Sequence, residues 1–181
     1  FILNLEKNND QIHYLQSQND NLSQGVFAAI RKDVPESIEF ASEALDAKPD
    51  AVNLWIGNEK STTSMHKDHY ENLYAVVRGC KIFTLYPPTY YPFLKEWQII
   101  PEVNDGQPMT LPWITADPEN LQRDLPPPLV AVVEEGDLFY LPSLWYHKVE
   151  QDGITVAVNY WYDMHYGINY HYFQFLKSIS N

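Results

Sequence analysis

Short apolar segments separated by turn residues fill most of the chain beyond residue 50. Segments of about four to eight residues, closed by Gly, Pro, Asn or Asp, are typical of β-strands. They occur at residues 51–57, 73–78, 81–86, 129–133, 138–141 and 154–161. Because these short strand patterns are many and helical periodicity is confined to short pieces, the chain is predicted to form an all-β sandwich or barrel.

Glycines mark several of the expected turns between these strands. Gly79 and Cys80 separate two apolar segments and predict a tight hairpin. Residues 134–137 and 151–153 predict two further turns for the same reason. The pattern therefore predicts that each of these glycines lies between two separate strands.

The length of the chain and its changes in composition predict one domain over residues 1–181. Residues 1–50 are polar and mixed, and we interpret them as a flank of the barrel. The barrel core is expected over residues 51–161, interrupted by an insert over residues 87–128. Of the 13 prolines in the chain, ten lie in this insert, and an irregular segment of such length is usually functional. We expect it to lie near the mouth of a site.

The tail, residues 162–181, is rich in aromatic residues, and Tyr172, Phe175 and Leu176 fall at helical spacing. Two interpretations of this tail are open. It forms a C-terminal helix that closes the barrel, or it forms a homodimer surface, since so many aromatic side chains near a terminus rarely all find cover within a small domain.

The composition limits the compartment and the partners. The chain has 181 residues, a formal net charge of −12 and one cysteine, Cys80. One cysteine excludes an intramolecular disulfide and favours a cytoplasmic or nuclear location over secretion. The acidic excess argues against direct nucleic-acid binding and fits a basic substrate. No apolar run is long enough for a membrane span, which predicts a soluble protein, and because the chain starts at Phe1 we expect further residues upstream.

His66 and Asp68 form the first part of a candidate metal site. In a β-strand, side chains two residues apart project from the same face, so this imidazole and carboxylate would lie side by side. A further histidine would complete a set of two His and one carboxylate, which binds a divalent metal and leaves positions open for substrates. His147, in a late strand pattern, is our candidate. Because an early and a late strand must then be neighbours, we predict a double-stranded β-helix, the jelly-roll or cupin-like barrel.

Lys81 lies in a strand pattern in which either face would place it beside bulky apolar side chains. A lysine inside an apolar barrel is unfavourable unless it pairs with a charge, and a dicarboxylate ligand would supply that charge. An exposed lysine at a strand edge explains the same spacing. The spacing alone leaves both interpretations open.

Four motifs carry a resemblance to a known family. They are TSMHKDHYENLY at residues 63–74, Lys81, LPSLWYH at residues 141–147 and AVNYWY at residues 157–162. Together they resemble the Jumonji-C (JmjC) family of Fe(II)- and 2-oxoglutarate-dependent oxygenases. HKDHYENLY at residues 66–74 and YWYDM at residues 160–164 are most similar to the lysyl hydroxylases of that family.

The resemblance implies a role for each matching residue. The residues that match the iron ligands of the family are His66, Asp68 and His147. The residues that match its contacts with the distal carboxylate of 2-oxoglutarate are Lys81, Thr63 and Tyr14. The residues that match the asparagines lining the cosubstrate and oxygen side are Asn72 and Asn159.

The resemblance also implies a reaction and a class of partner. The reaction is hydroxylation of a protein side chain, at C3 of a lysine in the (3S) configuration, coupled to conversion of 2-oxoglutarate and O2 to succinate and CO2. A translation-associated GTPase is one candidate substrate. Four alternatives stay open: Nε-methyl-lysine demethylation, divalent-metal peptidase activity on histone tails, zinc-dependent hydrolysis, and a cupin-like binding protein without turnover.

Overall fold

The structure is a computed structural model that describes residues 1–5, 10–16, 20–23, 25–94, 96–99, 113–116 and 125–180. The α-helices are α1 (Ile2–Leu5), α2 (Glu39–Leu45) and α3 (Ile168–Ser180), with 3-10 helices at Gly25–Asp33 and Pro88–Phe93. The strands are β1 (Tyr14–Leu15), β2 (Ala51–Gly57), β3 (Thr63–His66), β4 (Tyr70–Tyr86), β5 (Glu96–Ile99), β6 (Trp113–Ala116), β7 (Leu129–Glu134), β8 (Leu138–Leu141) and β9 (Tyr146–Asp163).

Two long antiparallel strands, β4 and β9, form the spine of the barrel. They pair along nearly their whole length, from Tyr70 opposite Asp163 to Tyr86 opposite Tyr146. Strands β2 and β3 pair with β9, whereas β7 and β8 pair with β4. This arrangement confirms the predicted double-stranded β-helix, in which the early strand β3 and the late strand β9 are direct neighbours.

The predicted hairpin at Gly79–Cys80 and the predicted turn at residues 151–153 are both wrong. Each segment lies inside a continuous strand, β4 of 17 residues and β9 of 18 residues. Gly79 (φ 81°) and Gly153 (φ 69°) have left-handed backbones, and the β4–β9 register shifts between Val76 and Cys80. A glycine of this kind inside paired strands forms a bulge and bends them, rather than reversing the chain. A Cβ at Gly79 would lie 2.5 Å from the carbonyl oxygen of Ile154, so the close approach also requires glycine.

Side chains of the long strands alternate between two cores. One face of β4 and β9 contributes Tyr74 and Trp161 to a cluster inside the barrel. The other face contributes Leu73 and Tyr160 to a cluster that includes Leu22 and Ala41 of the N-terminal flank. This period of two leaves the inner face of the barrel available for a site, while the flank covers the outer face.

The described part of the insert lies beside the candidate metal ligands. Strands β5 and β6 form an antiparallel pair, and β6 extends the sheet through the pairing of Thr115 with His66. Residues 100–112 and 117–124 of the insert lie outside the described residues.

The predicted C-terminal helix is present as α3. Its Phe173 is buried, whereas Tyr172 and Phe175 are exposed, so the helix both packs on the barrel and presents an apolar face. Homodimerisation through this face stays a prediction. Within the described ranges, no helix is long and apolar enough to span a membrane.

Candidate active site

His66, Asp68 and His147 converge at one end of the barrel interior. His66 is the last residue of β3, and its backbone pairs with His147 in β9. One Oδ2 atom of Asp68 lies 3.7 Å from Nε2 of His66 and 3.6 Å from Nε2 of His147. One potential ligand atom from each residue lies within 4.8 Å of the other two. The three side chains are therefore close enough to share one metal ion.

Backbone carbonyls orient both imidazole rings. Nδ1–H of His66 donates to the carbonyl of Ser64 at 2.7 Å, and Nδ1–H of His147 donates to that of Trp145 at 3.0 Å. Because a carbonyl can only accept, each Nδ1 carries the hydrogen and each Nε2 presents its lone pair. Outer hydrogen bonds of this kind fix the tautomer and the ring direction of metal-binding histidines.

Asp68 does not reach the site in the way that the sequence pattern predicted. Strand β3 ends at His66, and Asp68 lies in the loop before β4, so strand alternation does not place the two side chains together. The loop is held instead by the N–H of Leu144, which donates to the carbonyl of Asp68 at 2.9 Å. Leu144 has a left-handed backbone (φ 65°), a conformation that non-glycine residues adopt mainly where surrounding structure imposes it.

Burial keeps the imidazole of His147 available as a neutral ligand. His66 and His147 are both 4% exposed. Burial and the neighbouring His66 lower the pKa of His147 to about 4, although Asp68 acts in the opposite direction. At neutral pH His147 is therefore an uncharged donor beside a carboxylate. Two imidazoles and one carboxylate on a face with open positions are the ligand set of non-haem Fe(II) oxygenases.

Lys81 is the second charged feature of the barrel interior. It is 1% exposed, and its Nζ lies 5.3 Å from the ring centroid of Tyr14 and 5.6 Å from that of Tyr74. Among the described residues, no carboxylate forms an ion pair with it. Burial accordingly lowers the pKa of Lys81 to about 7. A buried ammonium without a counter-ion is unfavourable, so this position is suited to an anionic ligand.

Tyr14 and Thr63 connect these two regions. Their hydroxyl groups lie 3.3 Å apart, and both residues line the cavity that His66, Asp68 and His147 border. Tyr14 therefore contacts Lys81 through its ring and Thr63 through its hydroxyl. The two hydroxyls can donate to a ligand that extends between these two regions.

Asn72 and Asn159 form a buried hydrogen-bond chain in the same cavity. Nδ2 of Asn159 donates to Oδ1 of Asn72 at 3.1 Å, and the indole of Trp55 donates to Oδ1 of Asn159 at 2.8 Å. Both asparagines are almost fully buried. The chain fixes the direction of both amides within the cavity wall.

The chain is similar in sequence to known proteins over most of its length. A profile described as a cupin-like domain matches residues 1–168. The chain is 42% identical to JmjC domain-containing protein E of Dictyostelium discoideum across 97% of its own length. It is also 40% identical to lysine-specific demethylase JMJ32 of Arabidopsis thaliana across 93%, and 41% identical to the human bifunctional peptidase and (3S)-lysyl hydroxylase JMJD7 across 92%.

The chain belongs to the cupin-like JmjC family. It spans 60%, 57% and 58% of the length of these three relatives, respectively. The resemblance read from the sequence motifs is thereby confirmed at the level of the family.

The residues present in this JmjC barrel fit iron and 2-oxoglutarate. The Nε2 atoms of His66 and His147 and the carboxylate of Asp68 form the donor set for the metal. Lys81, which lies against the cavity-lining Tyr14 and Tyr74, is buried and lacks a carboxylate partner in the described structure. The indole N–H of Trp161, also in the cavity wall, is buried and has no hydrogen-bond partner among the described residues. Unsatisfied buried donors of this kind are expected where a polar ligand belongs.

Four residues of the cavity wall were not among the site residues predicted from the sequence: Trp55, Tyr74, Val149 and Trp161. Trp55, Tyr74 and Trp161 lie in apolar strand segments, where sequence reasoning assigns aromatic residues to the core, whereas Val149 lies between Lys148 and Glu150. The available signal is alternation, because Tyr74 lies two residues from Asn72, and Trp161 two residues from Asn159, on the same strand faces.

Proposed function

We propose that this protein is an Fe(II)- and 2-oxoglutarate-dependent protein hydroxylase. One observation carries the proposal: a single barrel interior contains a two-histidine, one-carboxylate cluster and, behind two cavity-lining tyrosines, a buried lysine without a carboxylate partner in the described structure. A metal-dependent hydrolase would use the cluster but would leave Lys81 without a role. A dicarboxylate cosubstrate accounts for both features.

When bound, iron with 2-oxoglutarate and O2 supplies oxidation of a substrate C–H bond to an alcohol, with release of succinate and CO2. The chain provides the surroundings for this chemistry. His66, Asp68 and His147 hold the metal, and Lys81 binds the distal carboxylate of the cosubstrate. Thr63 and Tyr14 donate hydrogen bonds along the same ligand, while buried aromatic walls exclude water.

We further propose a lysine side chain in a protein as the substrate, with hydroxylation at C3. Two similar proteins have names that specify lysine, one as a (3S)-lysyl hydroxylase and one as a lysine-specific demethylase. The net charge of −12 favours the approach of a basic segment. A cytoplasmic or nuclear protein such as a translation-associated GTPase is our candidate partner. Demethylation of methyl-lysine is the second candidate, because the name of the Arabidopsis relative specifies it.

The first experiment is an anaerobic titration of Fe(II) and 2-oxoglutarate into the wild-type protein and Lys81→Ala. We expect a visible charge-transfer band of the iron chelate in the wild type. In the variant, formation of the same band should require at least about 100-fold more 2-oxoglutarate, because a buried charge-assisted pair is lost. Glu150→Gln, which alters a half-exposed ion pair with Lys148, is a matched control that leaves the band unchanged. If Fe(II) binds to the wild type and no band appears at any 2-oxoglutarate concentration, the proposal is wrong.

Mass spectrometry separates the two lysine reactions. Peptides with unmodified lysine and matched peptides with Nε-methyl-lysine are incubated with Fe(II), 2-oxoglutarate and O2. Gain of one oxygen atom on the unmodified peptide supports hydroxylation, whereas loss of the methyl group from the second peptide supports demethylation. Hydrolysis of the peptide backbone in either sample would support the peptidase alternative, which the name of the human relative also includes.

A further inference from the structure

Glu96 of the insert contacts residues that are adjacent in the chain to the candidate metal ligands. Its Oε1 accepts hydrogen bonds from the ammonium of Lys67 and from the hydroxyl of Tyr146. Its Oε2 accepts one from the ammonium of Lys177 in α3 at 3.3 Å. One carboxylate therefore joins strand β5, the loop after β3, the start of β9 and the C-terminal helix.

The two close partners of Glu96 are chain neighbours of all three candidate ligands. Lys67 stands between His66 and Asp68, and Tyr146 directly precedes His147. The three ligands line the cavity, whereas Lys67 and Tyr146 contact Glu96. The carboxylate of Glu96 thus binds both segments that carry the candidate ligands.

The contacts around Glu96 are protected from water. The side chain of Lys67 is 1% exposed and that of Glu96 is 8% exposed. The ammonium of Lys67 also lies 5.3 Å from the ring centroid of Tyr146 and 5.2 Å from that of Phe173. Among the described residues, Glu96 is the one carboxylate in an ion pair with Lys67. When one partner of a buried ion pair is removed, the other charge is left without a partner and the surrounding structure shifts to solvate it. Here the remaining charge would be Lys67, so the shift would involve the loop that carries Asp68.

We propose that Glu96 is a positioning residue that sets the metal affinity of the His66, Asp68 and His147 cluster. This inference rests on the proposed function, because it assumes that the cluster binds a divalent metal. It also assigns a role to the insert and to α3, which reach the metal loop through Glu96 and Lys177. Changes in either element are then transmitted to metal binding without touching a ligand.

The test is Co(II) binding, measured by calorimetry and by the visible spectrum of the bound ion, in wild type, Glu96→Gln and Glu96→Leu. We expect the dissociation constant for Co(II) to rise about 10-fold in Glu96→Gln, because the amide still accepts hydrogen bonds but leaves the buried Lys67 without a counter-charge. It should rise further in Glu96→Leu, which removes both acceptors. The Co(II) spectrum shifts as well, because the ligand geometry changes. Glu150→Gln is the matched control, a charge removal in β9 at a half-exposed ion pair, and it leaves both readouts at the wild-type value.

The spectrum distinguishes positioning from a general loss of stability, which would leave the coordination of the bound ion unchanged. If Glu96→Leu does not fold, Glu96→Gln decides alone. Its amide oxygen still accepts hydrogen bonds from Lys67 and Tyr146, so this variant should keep the fold. Wild-type affinity and spectrum in Glu96→Gln would overturn the inference while leaving the proposed function intact. Failure of the wild type to bind Co(II) would overturn both.

Discussion

The barrel interior has two regions, a metal end at His66, Asp68 and His147 and a second end at Lys81. They differ in whether their polar groups already have partners within the protein. At the metal end, each histidine is fixed by a backbone carbonyl, and Asp68 is held by the N–H of Leu144. At the other end, Lys81 is buried against two tyrosine rings without a carboxylate partner among the described residues. The first end is organised before its ligand arrives. The second has a buried lysine without a carboxylate partner among the described residues, which would suit an anionic ligand.

This difference predicts that different terms dominate the free energy of metal binding and of anion binding near Lys81. Rings and a carboxylate that are already oriented lose little freedom when a metal binds, so geometry dominates the metal step. Lys81 is unfavourable until it is paired, so an anion gains affinity there by relieving a desolvated charge. The metal end should therefore be sensitive to the loss of a ligand atom, and the Lys81 end to protonation.

The largest expected effect is the loss of a ligand atom at the metal end. Asp68→Ala should weaken Mn(II) binding by more than about 100-fold, because loss of even an outer-shell partner weakens metal affinity by 10–100-fold. Calorimetric titration with Mn(II) measures this change. Glu150→Gln, at the half-exposed ion pair with Lys148, serves as a control with near-native metal affinity. Equal affinities of wild type and Asp68→Ala would show that the cluster is not a metal site.

The next effect is the pH dependence of 2-oxoglutarate binding at saturating metal. The pKa of Lys81 is lowered to about 7 in the unliganded protein, and only the protonated form pairs with a carboxylate. Affinity should therefore be constant well below pH 7 and fall by about tenfold per pH unit above it. Lys81→Met should bind weakly at every pH in the range, with no such slope. A flat profile in the wild type would separate Lys81 from cosubstrate binding.

The smallest expected effect is the removal of one hydroxyl between the two ends. Thr63→Val should weaken 2-oxoglutarate binding by about tenfold, because a hydrogen bond to a carboxylate contributes about 1.5 kcal/mol at the lower end of its range. Tyr14→Phe tests the second hydroxyl in the same way, and metal affinity should remain at the wild-type value in both variants. A loss of metal affinity in Thr63→Val would place this hydroxyl at the metal end instead.

The sequence was sufficient for the barrel class and for the residues that meet in its interior. A metal site made of His66, Asp68 and His147 required an early and a late strand to be neighbours. In the structure β3 and β9 are paired. Lys81 was ambiguous in spacing alone, and the family motifs placed it inside. The roles given to Asn72, Asn159, Thr63 and Tyr14 stay predictions, although all four line the cavity.

Other features could not be predicted, for physical reasons. A glycine with a left-handed backbone is compatible with a hairpin turn and with a bulge, so local sequence does not distinguish the bends at Gly79 and Gly153 from turns. Glu96 was missed because its partners come from three distant segments and no local pattern connects them. The loop position of Asp68 was missed because two residues in extended chain resemble a strand whether or not they are paired.

The pairing of β4 with β9 has a consequence for the synthesis of the protein. Tyr70, the first residue of β4, pairs with Asp163, the last residue of β9, so this pair forms only after all of β9 has been synthesised. His66 and Asp68 leave the ribosome long before His147, and contacts between such distant segments form slowly because a large loop must close first. During translation the growing chain therefore carries an incomplete barrel with exposed strand edges, a state in which it is open to chaperones and to aggregation. The three candidate ligands can come together only after the start of the last strand of the barrel has emerged.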